Sequence, residues 1–206
     1  SVDLHAKVGV LLENKKVPMT QGEGCLMILL DSQTGLLKSV LLDKGYLTDV
    51  RTAIAGAIAI KYLSNPNIET LGIMGAGIQA RLQLQAFLLV RRTNKIKVWS
   101  RDYLKVKKFI EDFGNNLNIE FCATSEELVT SSNVVITTTP ASKPLIKNEW
   151  LKKGMHITAM GSDAEHKNEI DPVIIKNCDV YVPDNQAQTS VLGELHHALQ
   201  NNLIKS

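Results

Sequence analysis

Gly72-Ile73-Met74-Gly75-Ala76-Gly77-Ile78-Gln79-Ala80 is the stretch that decides how this chain folds. Residues 69–74 form a short apolar run that reads as a buried strand, and 78–90 read as a helix. Between them Gly75, Gly77 and Ala80 fall in the G-x-G-x-x-A pattern. Gly75 turns the chain sharply from strand to helix, Gly77 lets a pyrophosphate approach the backbone, and Ala80 lets the helix lie close to the sheet. Ile78 and Gln79 open that helix, where free N–H groups and the macrodipole favour an anion. The bare pattern is common. Here a strand precedes it, a helix follows and a βαβ unit closes around it, which favours dinucleotide binding over a glycine turn kept for packing.

Downstream, strands are expected at 95–99, 119–122, 133–137, 156–160 and 179–182, and helices at 103–113 and 125–130. Strands alternating with helices predict a parallel sheet covered on both faces. Upstream the texture is strand-like, with runs at 7–12, 25–30 and 36–42, the last two joined by the turn Asp31-Ser32-Gln33-Thr34-Gly35. An alanine-rich helix is expected at 48–63 with Thr48 as its N-cap, its small residues allowing close packing. The fold class is therefore α/β, a Rossmann-type doubly wound parallel sheet preceded by part of a strand-rich domain.

Composition narrows the function. The 206 residues are 44% hydrophobic, with 23 basic and 21 acidic residues interspersed to a net charge of +2. That excludes a disordered chain and gives no basic face for nucleic acid. The longest apolar stretch, 53–60, stops at Lys61 and is too short to span a membrane. Asp3, His5 and Lys7 break any hydrophobic leader, and the chain opens at Ser1 in mid-domain texture, so a cut N-terminal edge is expected. Cys25, Cys122 and Cys178 form no close pair, which suits reduced thiols and a cytoplasmic protein. The five histidines give no metal-ligand spacing, so no metal is expected.

The end of the second strand of the glycine-turn unit addresses the cofactor. An NAD site usually places an acid there to hold the ribose 2′-hydroxyl. This strand ends Val98-Trp99-Ser100-Arg101-Asp102, with Ser100 at the acid's position and Arg101 after it. A hydroxyl and a guanidinium suit a 2′-phosphate, so NADP(H) is favoured over NAD(H). Asp102 reads as the N-cap of the next helix. Thr137-Thr138-Thr139-Pro140 closes a later strand, and its hydroxyls are expected to line the cofactor groove.

Gly45-Tyr46-Leu47-Thr48-Asp49-Val50-Arg51-Thr52-Ala53, taken with Gly75-Ala76-Gly77-Ile78-Gln79-Ala80 and Gly161-Ser162-Asp163, resembles the ornithine cyclodeaminase/mu-crystallin family. The resemblance runs across the whole chain, including Gly193-Glu194-Leu195. It implies a Rossmann domain beside a substrate and dimerisation domain built from both ends of a longer chain. It also implies NAD(P)-dependent redox chemistry at the α-carbon of small amino or imino acids, and a homodimer. On that basis residues 1–47 are part of the substrate/dimerisation domain, 48–66 a connecting helix, 67–186 the dinucleotide-binding domain, and 187–206 a helical return toward the substrate domain. Family members extend beyond both ends, and the N-terminal extension supplies further substrate contacts, an arginine among them.

The resemblance assigns roles residue by residue. Arg51 matches the arginine that holds the substrate carboxylate. It is expected in the first turn of its helix, where a cation is unfavourable by about 0.3–1 kcal/mol unless an anion binds. Thr52 beside it can offer a hydroxyl to the cofactor phosphate. Lys7 matches the substrate-binding lysine; unaided, it reads as an edge-strand lysine. Asp163, at a strand's carboxyl end, matches the catalytic aspartate. Taking hydride from an amino acid α-carbon requires the amine to lose a proton, and reducing an imine requires one to be supplied. A carboxyl beside the nicotinamide, its protonated form favoured by burial, does both. His166 stands where the family usually has glycine before the lysine at 167. Three functions remain open: imino acid reduction or the reverse oxidation, ornithine cyclodeamination to proline and ammonia, and non-catalytic NADP(H)-dependent binding of a small ligand.

Overall fold

The computed structural model describes residues 6–7 and 27–204. The chain forms two compact units, Ser1–Arg51 and Thr52–Ser206. In the first, β1 (Ala6–Lys7), β2 (Met27–Leu30) and β3 (Leu37–Leu41) form an antiparallel sheet in that order. The expected hairpin is present: Asp31 Oδ1 accepts from the N–H groups of Gln33 and Thr34, both at 2.9 Å, and Gly35 takes φ +71°. This is the local chemistry that makes Asp and Gly turn formers. Residues 8–12 of the first expected strand, and Cys25, lie outside the described residues.

Helix α1 runs Tyr46–Leu63, starting two residues earlier than expected. Thr48 is its third residue and so cannot be the N-cap. The Asp43 carboxylate accepts from Leu47 N at 2.6 Å instead, the chain turning through Lys44 and Gly45 at positive φ. Arg51 is consequently the sixth helical residue. The macrodipole fades beyond the first turn, so the unfavourable N-terminal placement expected for Arg51 does not hold.

The second unit is built on a five-stranded parallel sheet in the order β6-β5-β4-β7-β8. Its strands are β4 (Thr70–Met74), β5 (Lys95–Trp99), β6 (Ile119–Phe121), β7 (Val134–Thr137) and β8 (His156–Ala159). Helices α2 (Ile78–Val90), α3 (Tyr103–Phe113) and α4 (Ser125–Thr130) alternate with them, followed by α5 (Pro172–Asn177), α6 (Gln186–Thr189) and α7 (Glu194–Gln200). Period-two alternation puts one core on each face. Leu71, Ile73, Val134 and Ile136 pack with Leu84, Phe87, Val106 and Phe109; Met74 and Val135 pack with Leu128, Ile174, Leu195 and Ala198. The close approach expected of α1 is real: a Cβ at Gly56 would stand 2.9 Å from Gln83 Cδ on α2.

The strand expected at 179–182 does not form. Val180 and Val182 are 71% and 57% exposed, and the sheet ends at β8. No helix among the described residues is long and apolar enough to cross a membrane.

On β8, His156 is half-buried, Nε2 lies 2.8 Å from Thr158 Oγ1, and burial lowers its pKa from 6.5 to about 4. Above pH 6.5 the ring is neutral folded or unfolded and costs nothing. As pH falls from 6.5 toward 4 only the unfolded chain takes up the proton, so stability drops by up to about 1.4 kcal/mol per pH unit. His156→Gln is expected to flatten the acid side of a melting-temperature profile. A profile that stays parallel to that of the unmodified protein would refute this.

Candidate active site

The strand order reverses direction between β4 and β7, and open α/β sheets bind ligands outside the carboxyl ends of the strands at such a point. Gly75 follows β4 there at φ +115°, its N–H donating to Trp99 O at 2.8 Å. A Cβ at Gly75 would lie 2.5 Å from Thr138 Oγ1 and 3.1 Å from the Thr138 carbonyl. Thr138 is itself tied to the end of β4, donating to Met74 O through its N–H (2.9 Å) and its hydroxyl (3.2 Å). Both conformation and packing therefore demand glycine at 75.

Gly77 is different. Its φ of −82° and ψ of −166° suit any residue, and a Cβ there meets no atom of the described residues within 4 Å. Packing gives no reason for glycine; close approach of a ligand to the backbone does. Gly77 also heads α2 without a side-chain cap and with no acid in the first turn. By contrast α3, α4, α5 and α6 are capped by Asp102, Thr124, Asp171 and Asn185. The α2 terminus, with exposed Ile78 and half-exposed Gln79, thus presents its N–H groups as an anion cradle. A dinucleotide pyrophosphate fits these residues.

Ser100 stands half-exposed at the end of β5, its Oγ accepting from Asp102 N at 3.3 Å, while Asp102 caps α3 as expected. Arg101 is exposed and makes no ion pair among the described residues. Thr52 lies on α1, its carbonyl accepting from Gln83 Nε2 at 3.2 Å, which ties it to the second turn of α2. Lys7 and Arg51 belong to the first unit, Lys7 paired with Met27 and Arg51 exposed on α1.

Asp163 follows β8 at the carboxyl end of the sheet. The burial expected for it is not found: its side chain is 76% exposed and forms an ion pair with Lys167 one turn onward. Its backbone N–H bonds back to Gly161 O at 3.1 Å.

Of the three threonines expected to line the groove, Thr138 alone is placed over Gly75. Thr137 is fully buried, and its hydroxyl donates to Glu169 Oε2 at 2.6 Å. Thr139 donates to Glu169 Oε1 through both its N–H (2.6 Å) and its hydroxyl (2.7 Å), and Gly161 N donates to Glu169 Oε2 at 2.7 Å. Burial pushes this carboxyl's pKa up, against the pull of those donors. Glu194, at the head of α7, is also buried and raised by burial. It accepts from the Ser162 hydroxyl, from Glu169 N (2.8 Å) and from Ile170 N (3.3 Å). Neither glutamate has an ion-pair partner among the described residues. Sequence reasoning missed Glu169 altogether and gave Glu194 no role. Alternation separates the threonines, 137 and 139 sharing a side and 138 taking the other, but gives no signal for either glutamate.

Residues 7–206 match the ornithine cyclodeaminase/mu-crystallin family. The chain belongs to that family. An uncharacterized cyclodeaminase from Sinorhizobium fredii is 48% identical over 194 residues, covering 93% of this chain and 58% of that protein. The archaeal alanine dehydrogenase dimer with bound NAD superposes with a TM-score of 0.82 at 35% identity, covering 87% of this chain and 55% of that one. The Δ1-pyrroline-2-carboxylate reductase of Thermococcus litoralis, in complex with NADH and L-proline, gives a TM-score of 0.81 at 27% identity, covering 88% and 56%. The chain thus spans little more than half the length of these family relatives. Among its described residues no group of three His, Cys, Asp or Glu stands close enough to hold a metal ion.

Proposed function

We propose that the protein is an NAD(P)-dependent oxidoreductase acting at the α-carbon of a small amino or imino acid, reducing a cyclic ketimine to the amino acid. The observation that carries this reading is Gly77, a glycine that neither conformation nor packing requires, heading an uncapped helix at the switch point of the sheet. The solved relatives support it, one holding NAD and the other NADH with L-proline. In this reading Gly75, Gly77, Ile78 and Gln79 cradle the pyrophosphate, Thr138 shapes the turn beside them, and Thr52 offers a further hydroxyl. Thr137 serves from behind, through Glu169. A bound nicotinamide supplies the hydride. Asp163 delivers the proton to the imine nitrogen or, in oxidation, removes one from the amine. Arg51 grips the substrate carboxylate and Lys7 assists as a second cation. The same reading makes the protein a homodimer, the archaeal relative being a dimer, and a cytoplasmic one, in keeping with the free thiols of Cys122 and Cys178.

The test follows reduced-cofactor absorbance when the protein meets NADPH and pyrroline-2-carboxylate. Loss of signal with formation of proline supports reduction; tight cofactor binding without turnover on any imine overturns it in favour of a binding protein. The Sinorhizobium relative's name favours a second reading, cyclodeamination. It predicts L-ornithine converted to proline and ammonia with no net cofactor consumed.

Ser100 and Arg101 make NADP(H) the preferred cofactor, because a guanidinium pairs with a 2′-phosphate that NAD lacks. Arg101→Ala is expected to weaken NADPH about tenfold or more, the worth of one charge-assisted contact, and to leave NADH unchanged. Equal losses for both cofactors in a binding titration would remove the assignment.

A further inference from the structure

The Gly161-Ser162-Asp163 loop reaches the sheet through two buried carboxylates. Glu169 binds both walls at once. Its Oε1 accepts the N–H and hydroxyl of Thr139 beyond β7, and its Oε2 accepts the Thr137 hydroxyl on β7 and the Gly161 N–H beyond β8. Each oxygen thus serves one hydroxyl, which can rotate, and one backbone N–H, which cannot. The two walls are also in direct approach: a Cβ at Gly161 would overlap the Thr139 carbonyl and stand 2.6 Å from Glu169 Oε1. Glu194 continues the arrangement, holding the Ser162 hydroxyl and the backbone N–H of Glu169 itself. Asp163 is the next residue along, its exposed side chain paired with Lys167 and its backbone continuous with the held loop.

The geometry points to Glu169 and Glu194 as positioning residues: they lock the 161–163 loop, and with it Asp163, to the end of β7. The inference rests on the oxidoreductase reading for Asp163's task. The requirement is for a carboxylate that accepts at both oxygens, and satisfiability shows why glutamine cannot replace it. Whichever way a glutamine amide is turned at 169, its NH2 faces either Thr139 N–H or Gly161 N–H. Threonine hydroxyls can reorient to accept, but one backbone donor is left unpaired and one wall of the crevice is released.

The experiment compares the protein with Glu169→Gln and Glu194→Gln in imine reduction, cofactor titration and amide hydrogen exchange. Glu169→Gln is expected to lower kcat by about 10²-fold, the cost of a small misplacement of a reacting group, while cofactor Kd and imine KM hold. The peptide covering 137–141 or that covering 159–163 should exchange faster, with the rest of the unit unchanged. Glu194→Gln should act in the same direction through Ser162, and carries the test if Glu169→Gln does not fold. Unaltered kcat and exchange in the variants would overturn the inference. So would parallel losses of kcat, cofactor affinity and melting temperature, the mark of general destabilisation. Failure of the unmodified protein to reduce any imine overturns the oxidoreductase reading instead, and the exchange pattern then decides whether the glutamates lock the loop.

Discussion

Asp163→Asn is expected to lower turnover by about 10²–10⁴-fold, the usual worth of a general acid–base group, and to leave cofactor affinity where it is. Asparagine keeps the shape of the side chain and cannot exchange a proton at the required moment. The fold should tolerate the change. Asp163 is 76% exposed, its ion pair with Lys167 is a surface pair, and such pairs contribute about 0–1 kcal/mol. Its neighbours Gly161 and Ser162 are held by Glu169 and Glu194, not by the Asp163 carboxylate. Steady-state kinetics with a cofactor titration therefore separates chemistry from binding. Full turnover in Asp163→Asn would remove this residue from the mechanism and leave Lys167, its ionic partner, as the next group to examine. Unchanged kcat with a raised substrate KM would make Asp163 a binding residue.

Helices α2, α3 and α4 form where apolar spacing places them, and α3 and α4 are further fixed by the side-chain caps Asp102 and Thr124, which are local in origin. Strands β4 and β7 are readable because each is buried on both faces and so mostly apolar, Thr70, Gly72 and Thr137 excepted. Val180 and Val182 carry the same composition as a strand, yet they stand exposed and join no sheet among the described residues. Whether an apolar segment finds a ladder depends on which edge is open, a property of the sheet and not of the segment. The start of α1 was misplaced for a related reason: Thr48 is a good cap by type, but Asp43 reaches Leu47 N first across a turn built from Lys44 and Gly45. At the candidate site the glycines declare themselves because their chemistry is local. Glu169 does not. Its donors at 137 and 139 lie 32 and 30 residues away, only Gly161 is nearer at 8, and a buried carboxylate looks on paper like any surface glutamate.

Gly75 and Gly77 stand two residues apart, and their alanine variants are expected to fail in opposite ways. Gly75→Ala places a side chain at φ +115°, a strain of about 1–3 kcal/mol, and drives its methyl toward Thr138 Oγ1 at 2.5 Å. Thr138 cannot yield cheaply, since its N–H and hydroxyl are both committed to the Met74 carbonyl. The melting temperature should fall, and cofactor binding with it. Gly77→Ala meets no atom of the described residues within 4 Å and keeps an ordinary φ of −82°, so its stability cost should stay under about 1 kcal/mol, the difference between glycine and alanine at a helix N-cap. Its methyl instead occupies the approach to the α2 N-terminus. Losing one or two charge-assisted hydrogen bonds there, each worth about 1.5–3 kcal/mol, weakens the dinucleotide roughly tenfold to several-hundredfold or more. Thermal melts without cofactor and fluorescence titration with NADPH distinguish the two. A stable Gly77→Ala that binds NADPH like the unmodified protein would leave the α2 terminus with no ligand to explain its glycine, and the dinucleotide reading would fall with it.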